Sequence, residues 1–249
     1  MATPAVELIN FSKQFGNLEA VRPLNFQIPM GCFYALLGPN GAGKTTTLRM
    51  LAGLMPPDKG DALILGHSIT RQPEAAKQVM AYVPDEPALY SKLRPMEYLE
   101  FVAGLWQVPP SRAMPYAQEL LERLGLWERR GEYIESFPRG IKQRLALAGA
   151  FLHEPKVMLL DEPLTGIDAT YARLVKDMLR EFVGQGNTVI MTTHIMEMAE
   201  RLADRIGIFT NGYLLAEGSL DELRGQAGTG NSSLEDVFID LTQQAEVEA

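Results

Sequence analysis

Gly38-Pro39-Asn40-Gly41-Ala42-Gly43-Lys44-Thr45-Thr46 is the stretch from which the rest of the chain is read, because it fits the pattern G-x-x-x-x-G-K-[ST]. The pattern has a physical basis. Glycines let the backbone curl until successive N–H groups point inward at phosphate oxygens, where larger side chains would obstruct them. Lys44 then reaches the outer phosphates, and the Thr45 hydroxyl is placed to ligate Mg²⁺. The flanks agree. Cys32-Phe33-Tyr34-Ala35-Leu36-Leu37 is an apolar run of strand type, and Lys44 to Ala52 reads as a helix. A strand, a glycine loop and a helix N-terminus in that order make an anion site. They predict a site for a nucleoside triphosphate.

Outward from the loop, strand signals precede it at Val6-Glu7-Leu8-Ile9 and Leu24-Asn25-Phe26-Gln27-Ile28, with Gly16-Asn17 as a turn between them. Strands follow at Ala62 to Leu65 and at Val79 to Val83, where Pro84 ends the run. From about Glu86 to His153 the signals turn helical. Tyr98, Phe101, Val102 and Leu105 share one helical face, and Ala117, Leu120, Leu121 and Leu124 share another. Both stripes are expected to pack in the core. After Pro155, strands and helices alternate at Val157 to Leu160, Thr170 to Val183, Thr188 to Thr192, Ile195 to Leu202 and Arg205 to Phe209. The expected fold is an α/β core with a helical insertion over about residues 86–153. Gln226 to Ser233 is small, polar and glycine-rich and reads as a flexible link before a last short helix from Leu234 to Leu241. The chain thus divides into a domain over 1–225 and a tail over 226–249.

Its 249 residues suit one large domain, or a domain with a sizeable insertion. An apolar fraction of 46% and a charged fraction of 22% are those of an ordinary globular protein. The net charge of −8 argues against nucleic acid as a partner, since broad binding needs a basic face. The single cysteine, Cys32, has no second cysteine or ligand cluster beside it and reads as a small buried residue. Without disulfides or an N-terminal signal, the expected compartment is the cytosol. No stretch approaches the roughly 18 to 20 apolar residues of a membrane-spanning helix. Any work at a membrane is expected to need a partner.

Val157-Met158-Leu159-Leu160-Asp161-Glu162-Pro163 is an apolar strand ending in two carboxylates. Ligands of an α/β sheet bind beyond the carboxyl ends of its strands. There Asp161 can hold Mg²⁺ through water, and Glu162 can polarise an attacking water as general base. Thr192-Thr193-His194 ends the next apolar strand and brings an imidazole to the same edge, within reach of a γ-phosphate. His67 and His153 read as structural.

The order of these motifs is similar to that of the ATP-binding subunits of ABC transporters. It comprises the phosphate loop, a helical insertion, Arg139-Gly140-Ile141-Lys142-Gln143-Arg144, Leu159-Leu160-Asp161-Glu162-Pro163, Thr165-Gly166-Ile167-Asp168 and His194. The resemblance runs from about Val6 to Leu223. It implies a phosphate-loop NTPase core with an N-terminal antiparallel β subdomain and an inserted helical subdomain, and an ATPase using ATP and Mg²⁺. It implies that Phe15 stacks on adenine beside a loop formed by Gly38 to Thr46. It implies that Thr45 and Asp161 hold the metal, while Glu162 and His194 act in hydrolysis. The resemblance further implies that two subunits, identical or not, sandwich two ATPs. Each site faces the other chain's signature, here Pro138, Arg139 and Gly140, with Asp168 also contacting the opposite subunit. The implied work is to drive a separate membrane permease from its cytoplasmic face. The wording Gly-Ile-Lys-Gln-Arg-Leu-Ala-Leu-Ala and the tail Ser-Leu-Glu-Asp-Val-Phe look more like exporters than importers.

Two positions depart from the family pattern. The signature is Leu-Ser-Gly-Gly-Gln or a close variant, and here Phe137-Pro138-Arg139-Gly140-Ile141 stands in its place. Pro138 supplies neither the serine hydroxyl nor a backbone N–H. Asp85, in Val83-Pro84-Asp85-Glu86-Pro87, stands where a glutamine commonly touches Mg²⁺ and the attacking water. A carboxylate can also ligate Mg²⁺, and aspartate also caps turns. Pro138 raises a second reading, a nucleotide-gated regulatory module with little hydrolysis. A soluble ATPase acting on ribosomes or DNA is disfavoured by the acidic balance and the absence of a basic insertion.

Overall fold

The structure, a computed structural model, describes residues 3–228, 230 and 232–248. In chain order the elements are β1 (Val6–Phe15), β2 (Leu18–Ile28), β3 (Phe33–Leu37), α1 (Lys44–Leu51), β4 (Lys59–Ile64), β5 (His67–Ser68), α2 (Pro73–Gln78) and β6 (Met80–Val83). The helical insertion follows as α3 (Pro95–Leu105), α4 (Pro110–Arg123) and α5 (Arg139–Leu152). Then come β7 (Val157–Asp161), α6 (Ala169–Gly184), β8 (Thr188–Thr193), α7 (Met196–Leu202), β9 (Arg205–Thr210), β10 (Tyr213–Gly218), α8 (Leu220–Ala227) and α9 (Leu234–Glu248).

The strands form two sheets. One is antiparallel, in the order β2-β1-β4-β5; the other has the order β10-β9-β3-β8-β7-β6 and is parallel except for β10. A parallel sheet is covered on both faces, so its strands read as unbroken apolar runs. Every residue of β3 and β7 is buried. Alternate side chains of β3 leave by opposite faces. Tyr34 and Leu36 join the core that packs under the antiparallel sheet and α1, and Ala35 and Leu37 join the one formed with α7, α8 and α9. Leu37 pairs with Thr193, and Asp161 pairs with Thr192. That register brings the carboxyl ends of β3, β7 and β8 to one edge, where the site is built.

The insertion meets the expectation in α4, whose Ala117, Leu120 and Leu121 are buried together with the following Leu124. It departs in α3. There the buried row is Leu99, Val102 and Ala103, while Leu105 is 64% exposed and Phe101 also faces outward, its ring edge-on to Tyr90. Both rows carry apolar residues at helical spacing, so periodicity could not choose which row enters the core. β1 and β2 extend well past their expected ends, because register shifts along the pair break the alternation that marks a strand. β10 gives no alternation either, with partial burial along most of its length. The expected short helix is α9, which continues to Glu248 and buries Leu234, Val237 and Leu241 against α7 and α8. Of the expected link Gln226 to Ser233, Gln226 and Ala227 form the last residues of α8 and the rest falls between α8 and α9, with residues 229 and 231 outside the described residues.

Candidate functional site

The glycine loop is held open by close backbone packing. Gly43 caps α1 with φ of 99°, a left-handed conformation that suits glycine, and a Cβ there would collide with the Ala20 carbonyl oxygen. The N–H and hydroxyl of Thr47 both donate to the Gly43 carbonyl at 2.9 Å, starting the helix in that position. Gly212 N–H donates to the Ala42 carbonyl at 3.2 Å, and Arg22 N–H donates to the Gly212 carbonyl at 2.6 Å. The loop, β2 and the β9–β10 turn are thereby fastened together.

Lys44 is buried inside this loop. Its ammonium donates to the carbonyls of Gly38 and Pro39 at 2.7 and 2.9 Å. Burial pulls its pKa below the ordinary lysine value, against the charges of Glu162 and Asp161, which push it up. A buried cation with only carbonyl partners gains from an arriving polyanion. Beside it lies a cavity of about 710 Å³, walled by Asn40 to Thr46 on one side and by Phe15, Leu18, Glu19, Ala20 and Arg22 on the other. Phe15 is 46% exposed at its rim, with the Lys13 ammonium 5.7 Å from the ring centre. Asp85 and Glu162 complete the far end.

The carboxylates at the end of β7 are tightly placed. Asp161 Oδ1 accepts from the Thr45 hydroxyl at 2.9 Å and from the Thr192 hydroxyl at 2.6 Å. Its Oδ2 is buried with no hydrogen-bond partner, an orphaned acceptor aimed at something the protein does not supply. Glu162 adopts φ of 46°, a left-handed conformation uncommon outside glycine. Its N–H donates to Thr192 Oγ1 at 3.0 Å, and its Oε1 lies 2.8 Å from His194 Nδ1. Strain of this kind costs on the order of 1–3 kcal/mol and persists where surrounding contacts over-determine it. Here those contacts are the Thr192 bond and the His194 bridge.

The structure thus lines one cavity with Phe15, Asn40 to Thr46, Asp85 and Glu162, while Asp161 is tied to it through Thr45 and His194 through Glu162. Pro138, Arg139, Gly140 and Asp168 lie outside its walls. Pro138 caps α5 without a side-chain hydrogen bond. A Cβ on Gly140 would collide with the Gly166 carbonyl oxygen, so the start of α5 is pressed against the loop leading to Asp168. Asp168 caps α6, its Oδ1 accepting from Tyr171 N–H at 3.2 Å. Arg139 joins the two groups through an ion pair to the Asp85 carboxylate and a 3.3 Å hydrogen bond to the Asp85 carbonyl. Thr192, Arg22 and Gly212 escaped the sequence reading. Thr192 carried a signal, a hydroxyl near the end of an apolar strand beside the one ending in Asp161.

A parallel sheet ending in a glycine loop, a buried lysine and a strand-end acid defines a phosphate-loop nucleotide-binding domain. The sequence pattern described as ABC transporter matches residues 21–165. The chain is 37% identical to the linearmycin resistance ATP-binding protein LnrL of Bacillus subtilis, over 88% of this chain and 70% of that one. It is 35% identical to the daunorubicin/doxorubicin resistance ATP-binding protein DrrA of Streptomyces peucetius, over 91% of this chain and 69% of that one. A solved structure of the ATP-binding subunit of an ABC transporter superposes with a TM-score of 0.91 at 31% identity, covering 96% of this chain and 99% of the other. The chain belongs to the ABC transporter family. It is an ATP-binding subunit and an ATPase, a motor for a separate membrane partner. Among the described residues no helix is long and apolar enough to cross a membrane.

Proposed function

We propose that this subunit powers export of a small molecule through a separate integral membrane permease, held peripherally at its cytoplasmic face. It would pair with a second ATP-binding subunit to close two ATPs between them. The observation that carries the hydrolytic half of this reading is the linked set Thr45–Asp161–Thr192–Glu162–His194. The export half is supported by the relatives, two of which are named for drug resistance. Nothing in the comparisons supports the regulatory alternative.

In this reading Phe15 stacks on the adenine, and the loop N–H groups with Lys44 bind the phosphates. The residues fit Mg²⁺. Thr45 and Asp161 would hold it, with Asp85 at the cavity's end, and the orphaned Asp161 Oδ2 is the acceptor that such an ion or its water would satisfy. No cluster of three or more His, Cys, Asp or Glu suited to a metal occurs among the described residues, and Mg²⁺ at phosphates needs only one or two carboxylates. When bound, Mg²⁺ supplies neutralisation of the developing charge on the phosphates. Glu162 takes the proton of the attacking water. The His194 Nδ1–H donates to the Glu162 carboxylate, which fixes the direction of that base and leaves Nε2 for the γ-phosphate.

The permease is assigned to the segment from Pro87 to Trp106. A groove of about 230 Å³ runs there between the chain after β6, α3 and α5, lined by Leu89, Tyr98, Leu105 and Trp106, and the outward Tyr90 and Phe101 add exposed aromatic anchors on the same segment. The test is reconstitution of the chain with its co-purifying membrane protein in vesicles. ATP-dependent movement of substrate away from the ATP-binding side, abolished in Lys44→Ala, is expected. Turnover without transport, or transport toward the ATP side, would overturn the export reading.

A further inference from the structure

The start of α5 is electrostatically out of keeping with an ordinary helix. A helix N-terminus carries partial positive charge and is stabilised by acidic residues in its first turn. The first turn of α5 has no acidic residue, and it places Arg139 at the first helical position with Lys142 close behind. Pro138 before it supplies no capping side chain. Three positive contributions therefore converge where the family's serine would stand. Among the described residues the carboxylate paired with Arg139 is Asp85, brought in from the loop after β6.

That arrangement points to a use for the charge. A local choice that works against its own helix is expected where function requires it. The backbone here has little freedom, because Gly140 already sits against the Gly166 carbonyl. The Arg139 side chain has more, being 42% exposed, and a half-exposed ion pair is weakly held against exchange. A guanidinium presents several donors in a planar fork suited to phosphate and carries a full positive charge, where a serine hydroxyl presents one neutral donor.

We propose that Arg139, held at rest by Asp85, binds the γ-phosphate of the paired subunit's ATP in place of the missing signature serine. The inference rests on the pairing given under Proposed function. Asp85 is then the resting counter-ion of Arg139, and the triphosphate of the neighbouring site is the stronger anion that displaces it on closure. Because Asp85 also lines this chain's own cavity, the occupancy of one ATP site bears on the readiness of the other. Pro138 does not disable the signature in this account; the donor has moved one residue along the chain.

The test uses the assembled complex of this chain with its membrane partner. Steady-state turnover is measured together with trapping of ADP by orthovanadate, which reads closure of the pair separately from turnover. Arg139→Ala is expected to lower both by roughly ten- to a hundred-fold, the loss of a hydrogen bond to a charged group. The double variant Pro138→Ser with Arg139→Gly, which restores Ser-Gly-Gly, is expected to recover both. An Arg139 that served only to anchor Asp85 would not be replaced by a serine, so a loss that the double variant fails to recover overturns the proposal. Unchanged turnover and trapping in Arg139→Ala overturns it as well. Absence of ATP-driven trapping in the wild-type complex overturns the pairing itself, and the role of Arg139 with it.

Discussion

Lys44 is the residue on which the phosphate site turns. Its ammonium is buried and bonded only to carbonyls of its own loop, so Lys44→Ala removes the cation while leaving the glycine cradle. Titration with ATP should show binding abolished, and unchanged affinity would contradict the assignment of the loop. Glu162→Gln keeps the side-chain shape and loses the base. It should retain ATP while turnover falls at least about a hundred-fold, the scale of general-base contributions, and a single-turnover assay beside a binding titration separates the two. Most of this was legible in the sequence, because glycine spacing, a lysine and a strand-end Asp-Glu pair are local signals. The ties that hold them were not. Thr192 bonds Asp161 from a neighbouring strand 31 residues on, and Arg139 meets Asp85 across 54 residues, partnerships that only folding reveals.

Among elements, β3 and α5 carry the clearest consequences. Cys32 enters β3 buried, and desolvation, aided by Asp204 and opposed by the Arg205 charge, pushes its thiol up to about 12. The thiolate is the reactive form, so native protein at pH 8 should resist alkylation and become reactive only on unfolding. Mass-resolved labelling with and without denaturant checks this. At α5, Gly140→Ala would place a methyl against the Gly166 carbonyl. It should lower turnover through a displaced signature while nucleotide binding to this chain's own loop is retained, as paired titration and turnover would show. The elements themselves were legible where burial is two-sided and continuous, as in β3, β7 and β8. They were not legible in α3, where both helical rows are apolar, nor in β10, whose burial follows no period.

At the scale of the whole molecule, the central claim is that ATP hydrolysis at this cavity drives a partner docked on the groove beside α3. Leu105 and Phe101, expected in the core, instead face outward, Leu105 in the lining of that groove and Phe101 against Tyr90 on the same segment. Single cysteines at Ser91 or Lys92 should cross-link to the membrane subunit in an assembled, active complex, and absence of such cross-links there would remove the docking surface. The most direct measurement of the claim is ATP turnover by the purified complex, wild type against Glu162→Gln, with bound nucleotide counted in the same samples. Robust turnover in the wild type, with its loss in the variant despite full ATP occupancy, is the predicted result. Equal turnover in the two, or occupancy without turnover in the wild type, would contradict it.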